Sequence, residues 1–171
     1  VLAMHIALLF PGITECGFAG RRGNEATWIS HGLAILSACL KQQGHAVELI
    51  DLRRLSGWDE LRARLRASPA KVLGITMMSV DFDPATTAAA IAKEVRPDVR
   101  VLVGGPHPTI CPEELESLSA IDCIVKGEGE IVLPRLLADL EAGRELPRIV
   151  VGERVEDLDA VPWADRGLFG I

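Results

Sequence analysis

The stretch Val101-Leu102-Val103-Gly104-Gly105-Pro106-His107-Pro108-Thr109, followed by Asp122-Cys123-Ile124-Val125-Lys126-Gly127-Glu128-Gly129-Glu130, decides the fold class. Each half is a short apolar run that stops abruptly at glycine. A short apolar run bounded by turn residues reads as a strand buried on both faces of a parallel sheet. Glycine at its carboxyl end allows a sharp turn and a close approach of backbone to a ligand. In an open α/β sheet the ligand crevice lies outside the carboxyl ends of the strands, so two successive runs of this kind point to one shared pocket.

Working outward, strand alternates with helix along the chain. Residues 5–10 (His5-Ile6-Ala7-Leu8-Leu9-Phe10) read as a first strand, and residues 11–30 as a polar, glycine-bearing loop without helical period. A structureless stretch of that length inside a compact domain points to a functional or mobile loop. Ser30 is placed to cap a helix running to about Gln43 and closed by Gly44. Val47 and Leu49 mark a second strand, nearer an edge, and Trp58, Leu61 and Leu65 one face of a helix. Lys71–Thr76 is the third strand; Asp83-Pro84 then reads as an N-cap opening an alanine-rich helix that ends near Arg96, before Pro97. The fourth strand is Arg100–Val103, a short helix starts at Pro112-Glu113-Glu114, and the fifth strand is Asp122–Lys126. A last helix carries Ile131, Leu133, Leu136, Leu137 and Leu140 and stops at Gly143. Five βα alternations with right-handed crossovers predict an α/β, doubly wound, flavodoxin-like five-stranded parallel sheet of order 2-1-3-4-5, with helices on both faces. Residues 1–145 form this unit, and Ile149-Val150-Val151 can add one edge strand. Residues 157–166 read as a linker, so 146–171 are expected to lead toward a further domain.

Composition narrows the function classes. The chain has 171 residues, long enough for one domain with a real core, and its 49% hydrophobic and 25% charged residues are those of a globular protein. A net charge of −6 argues against a nucleic-acid surface, which needs a clustered basic face. The apolar opening is ten residues long, lacks a basic lead and is broken by Pro11-Gly12; neither a signal peptide nor a membrane span is expected, and a cytoplasmic location is. Cysteines at 16, 39, 111 and 123 have no metal-site spacing, and Cys39 and Cys123 read as core residues.

Three loops should meet at the carboxyl edge: the one after strand one, Thr76–Ser79, and Gly104–Thr109, with Gly127–Glu130 beside them. Neither GxGxxG nor GxxxxGK[ST] occurs, so no nucleotide fingerprint fits. A phosphorylatable receiver needs acids where this chain has Phe10-Pro11 and Thr76-Met77. The ordered set Leu73-Gly74-Ile75-Thr76-Met77-Met78-Ser79, Val103–Thr109 and Val125–Glu130 resembles instead the amino-terminal cobalamin-binding domain of radical S-adenosylmethionine enzymes. Gly32-Leu33-Ala34-Ile35-Leu36 and Leu158-Asp159-Ala160-Val161-Pro162 are similar to the same family.

The resemblance implies a non-catalytic module that holds cobalamin at the sheet edge. A carboxy-terminal barrel of the same polypeptide would carry the 4Fe–4S cluster and bind S-adenosylmethionine, and the whole protein would be a methyltransferase or related radical enzyme. The expected cofactor contacts are Thr76, Met78, Ser79, Gly104, Gly105, Pro106, His107, Thr109, Gly127, Glu128 and Gly129. Each has a plainer alternative. Thr76 and Ser79 can bond local backbone, Met77 and Met78 can pack the core, and Glu128 and Glu130 can favour the start of the following helix by charge. Many cobalamin proteins place a cobalt-binding histidine after the first strand, whereas Pro11–Gly17 contains none, which fits the radical-enzyme branch. The same absence motivates the alternatives: a cofactor-free scaffold docking a barrel, whose pocket residues 11–30 would fill, or a flavin-type or regulatory domain of this topology.

Overall fold

A computed structural model describes residues 3–18 and 29–170. Six strands form one parallel sheet: β1 (His5–Phe10), β2 (Ala46–Asp51), β3 (Val72–Thr76), β4 (Arg100–Gly104), β5 (Cys123–Gly127) and β6 (Ile149–Gly152). Their order is β2-β1-β3-β4-β5-β6, so the five-stranded expectation gains the sixth strand at its β5 edge. The helices are α1 (Ile13–Cys16), α2 (His31–Gln42), α3 (Trp58–Ala67), α4 (Phe82–Val95), α5 (Pro106–Ile110), α6 (Glu113–Glu116) and α7 (Val132–Glu141). No helix among the described residues is long and apolar enough to cross a membrane.

The period-two pattern of each strand sorts its side chains into two cores. Ala7, Leu9, Leu73, Ile75, Val101, Val103 and Ile124 face α3 and the alanine-rich side of α4. Ile6, Leu8, Phe10, Val72, Leu102, Cys123 and Val125 face α2 and α7. Gly74 falls between Leu73 and Ile75 and so takes its place on the α2/α7 face, where it contributes no side chain.

Three expectations change. The N-cap position of α4 is Asp81, not Asp83; Asp83 and Pro84 lie inside the first turn, where proline still forfeits no helical hydrogen bond. The stretch after β4 is not a loop, since Pro106–Ile110 form α5 with Thr109 N–H donating to the Gly105 carbonyl at 3.2 Å. Residues 157–166 are not a free linker at their far end. Asp165 accepts from Ser37 Oγ at 2.7 Å and pairs with Lys41 Nζ at 2.6 Å, its backbone N–H donates to the Ala34 carbonyl, and Phe169 is fully buried in the α2/α7 core. The segment after β6 therefore crosses from one edge of the sheet and seals against α2 and β2 at the other. Burial of Phe169 decides this, and aperiodic sequence gave no sign of it.

Candidate functional site

At the carboxyl edge, on the α2/α7 side, the sheet carries a cavity of about 670 Å³. Its floor is built by Leu8 and Phe10 of β1, Gly74 and Thr76 of β3, Leu102 and Gly104 of β4, and Val125 and Gly127 of β5. Leu33 and Leu36 of α2 form one wall; Gly129, Glu130 and Leu133 at the start of α7 form the other. Gly74 makes the floor deep. A Cβ built there would stand 3.0 Å from Leu8 Cδ2, so any larger residue would occupy the cavity and press on its lining. The size is that of a small-molecule site, and the lining is chiefly apolar with a few polar groups at the mouth.

The mouth is held by a compact network joining the loops after β3, β4 and β5. Gly105 has φ +112°, and a Cβ there would lie 3.0 Å from the Met77 carbonyl and 3.2 Å from Thr76 Oγ1, so only glycine fits this turn. Met77 N–H donates to the Gly104 carbonyl at 2.8 Å, and His107 N–H to the Met77 carbonyl at 3.1 Å. Thr109 Oγ1 donates to the Gly105 carbonyl at 2.8 Å and accepts from Gly127 N–H at 2.9 Å, which stitches α5 to the end of β5. Around this rim Met78, Val80 and Ile110 expose half or more of their surface, an apolar shelf beside the opening.

Of the contacts expected from the sequence, Thr76, Met78, Gly104, Gly105, Pro106, Thr109, Gly127, Glu128 and Gly129 line the cavity. Glu128 is also engaged elsewhere, accepting Val155 N–H at 2.5 Å and so fixing the segment after β6 at the rim. Ser79 and His107 are brought together, but behind the wall. Ser79 Oγ lies 3.2 Å from His107 Nδ1, the imidazole packs edge-on against Phe82, and Nε2 lies 3.7 Å from Glu114. His107 is 5% exposed, and its role here is to tie the β3 loop to α5. Met77 is fully buried in the core, and Met78 lines the site.

His45, expected to face solvent or to cap, is buried beyond the other end of α2, where its Nδ1 accepts Met4 N–H. None of the four histidines lines the cavity. Among the described residues no group of three or more His, Cys, Asp or Glu is arranged to hold a metal ion.

Sequence reasoning missed Asp81. Its residue is 4% exposed, yet it lines the cavity mouth. Burial pushes its carboxyl above the usual carboxylate range; a Met78 backbone hydrogen bond opposes this and nearby Glu15 reinforces it. The available signal was an acid two residues before Asp83, read past because Asp83-Pro84 looked like the helix start.

Two solved structures share the fold. The RcsB response regulator of Salmonella typhimurium matches over 86% of this chain and 64% of its own, with 16% identity and a TM-score of 0.56. The receiver domain of RcsB from Escherichia coli matches over 89% and 100%, with 18% identity and a TM-score of 0.52. At that identity the likeness is one of fold alone, and β1 and β3 here end in Phe10 and Thr76, not in acids. Sequence relatives are more informative. An uncharacterized methyltransferase of Pyrococcus horikoshii is 34% identical over 70% of this chain, and an anaerobic magnesium-protoporphyrin IX monomethyl ester cyclase of Rubrivivax gelatinosus is 32% identical over 82%. A hopanoid C-3 methylase of Methylococcus capsulatus is 29% identical over 64%. The chain spans 26%, 25% and 22% of these relatives' lengths, about a quarter. The B12 binding domain profile matches residues 24–137, which take in α2 through most of α7 and every element lining the cavity except β1. With two thirds of its length matched, this chain belongs to the B12-binding domain family.

Proposed function

We propose that this chain is the cobalamin-binding module of a radical S-adenosylmethionine enzyme, a methyltransferase or an enzyme of related radical chemistry, and is not itself catalytic. The observation that carries the reading is the glycine-floored cavity at the carboxyl edge, in a chain of this family. Its volume suits the nucleotide tail of cobalamin but not the whole cofactor, so the corrin would rest at the mouth, on the shelf of Met78, Val80 and Ile110. Leu8, Leu33, Leu36, Leu102 and Val125 would pack the flat base of the tail, Gly74 and Gly104 would leave it room, and Thr76 would offer it a hydroxyl. When bound, cobalamin supplies a cobalt that carries a methyl group or assists a rearrangement. With no histidine in the cavity lining, the protein would supply no imidazole below that cobalt. The 4Fe–4S cluster and S-adenosylmethionine would belong to a barrel elsewhere in the same polypeptide, toward which residues 146–171 lead, and the enzyme would work in the cytoplasm.

The test is co-elution of hydroxocobalamin with the purified chain on gel filtration, followed at the corrin absorbance. Retention is expected; a folded chain that elutes colourless would overturn the reading. Electron paramagnetic resonance of the cobalt(II) form should show no splitting from an axial nitrogen of the protein. Splitting that disappears in His107→Ala would refute the assignment of an imidazole-free lower face. The cofactor-free scaffold is disfavoured because, of the described residues in 11–30, only Ser30 reaches the cavity.

A further inference from the structure

Asp81 occupies the N-cap position of α4, and aspartate there ordinarily accepts a backbone N–H of the first turn. Here its side chain makes no capping bond. It lies instead in the lining of the cavity mouth, 4% exposed, and among the described residues no side chain donates to it. Burying a carboxyl without a dedicated donor is unfavourable, and giving up a cap forgoes a further contribution. A residue that accepts both costs beside a ligand cavity is placed for the ligand.

Its height in the site decides which part of the ligand. Asp81 ends the 3-10 turn Ser79–Asp81, directly after Met78, and that turn carries two of the three exposed apolar residues of the rim. The cavity floor is made by other residues, Leu8, Gly74, Leu102 and Val125. The carboxyl therefore stands at the level of the mouth. On the proposed reading of the site, the macrocycle lies there and the tail lies below. The periphery of the corrin in cobalamin carries primary carboxamides, whose N–H groups are donors suited to a carboxyl oxygen.

We propose that Asp81 is a specificity-determining residue that accepts a hydrogen bond from a peripheral carboxamide of the corrin, and so distinguishes cobalamin from corrinoids bearing a free carboxylate at that position. The inference rests on the cobalamin-binding reading and adds to it a residue and a ligand group. A carboxylate on the ligand would meet Asp81 with two acceptors and no proton between them, or with like charges.

The experiment measures dissociation constants by absorbance titration for hydroxocobalamin, for cobinamide, which keeps the corrin and its amides but lacks the tail, and for cobalamin monocarboxylic acids. The proteins are the 171-residue chain, Asp81→Leu and Asp81→Asn. Asp81→Leu should weaken hydroxocobalamin and cobinamide alike by about tenfold, the effect of leaving one buried donor unpaired. Asp81→Asn, which can donate as well as accept, should fold like the parent and bind at least one of the separated monocarboxylic acids about as well as cobalamin. That narrowing of discrimination is one that mere loss of structure would not produce. Unchanged affinities in both variants would overturn the inference alone. A loss confined to hydroxocobalamin would place Asp81 on the tail and overturn it too. Failure of the parent chain to bind either corrinoid would overturn the function proposed above and this inference with it.

Discussion

Replacing Gly74 by valine should push stability and binding in opposite directions, which makes it the sharpest test of the cavity. Gly74 sits mid-strand in β3, paired with Leu8 of β1 and Leu102 of β4. Glycine in a strand interior is less favourable than alanine by roughly 0.5–1 kcal/mol, and a β-branched residue suits the position better still. The opposing term is the contact of the new Cβ with Leu8 Cδ2 at 3.0 Å; the next nearest atom, the Ala7 carbonyl oxygen, is at an ordinary 4.0 Å. Leu8 Cδ2 is the far end of a flexible side chain that itself lines open space, so it can retreat at little cost. The two methyls also bury apolar surface. The balance is a change between zero and about +2 kcal/mol, or a Tm raised by roughly 0–6 °C for a domain of this size. The same methyls stand where the cofactor tail is proposed to lie, and cobalamin affinity should fall by at least about tenfold, as overpacking of 1–3 kcal/mol implies. Circular dichroism melts and a corrin titration read the two effects separately. A Tm lowered by more than about 4 °C would show that Leu8 cannot yield, and unchanged affinity would show that the floor is not used.

Gly105→Ala should destabilise by about 2–4 kcal/mol, from a positive φ and from contact with the Met77 backbone, which cannot move aside; an unaltered Tm would refute the reading of the turn. Arg148→Met should cost about 2–3 kcal/mol in urea unfolding, because its guanidinium donates to the carbonyls of Ile121, Leu115, Glu116 and Leu118 and so anchors the approach to β5. Burial would raise the Asp165 carboxyl, but the bonds from Lys41 and Ser37 outweigh it and hold it below the usual range. A depressed folded value contributes stability above the unfolded value and loses it as pH falls through the folded one. Asp165→Asn should therefore melt lower than the parent at pH 7, by an amount worth about 1 kcal/mol, and the difference should vanish on acidification below pH about 3. Burial pushes the Cys123 thiol up to about 11 and raises Cys39 as well. An aromatic disulfide reagent at pH 8 should label the half-buried Cys16 and Cys111 in the native chain and all four thiols after denaturation.

Much of this was legible in residue pattern because parallel strands buried on both faces leave little freedom. The runs ending at Phe10, Thr76, Gly104 and Gly127 could pair only side by side, and the glycines after them marked the cavity edge before any side chain was placed. Local signals carried α2, whose Ser30 cap and Gly44 terminus both hold. What sequence could not give was the direction of individual side chains. His107 sits between two prolines in the right segment, yet a short helix turns its imidazole toward Ser79 and Phe82. Asp81 sits in no motif and reaches the mouth because the 3-10 turn before α4 carries it there. Residues 164–169 failed for a different reason. Their order comes from contacts with α2 and β2 more than a hundred positions away, and no local period records such partners.

The docking of that last segment has a mechanical consequence. Asp165 grips α2 through Ser37, Lys41 and the Ala34 carbonyl, on the same helix whose Leu33 and Leu36 wall the cavity. Arg54 holds the Phe169 carbonyl from the β2 side. Tension applied at Gly170 would reach α2 before any other helix, so the grip works as a lever on one jaw of the cavity. The other jaw, α7, is tethered through Glu128 to Val155 near the start of the same segment. One stretch of chain thus holds both jaws, and drawing it taut would alter their spacing without touching the sheet between them.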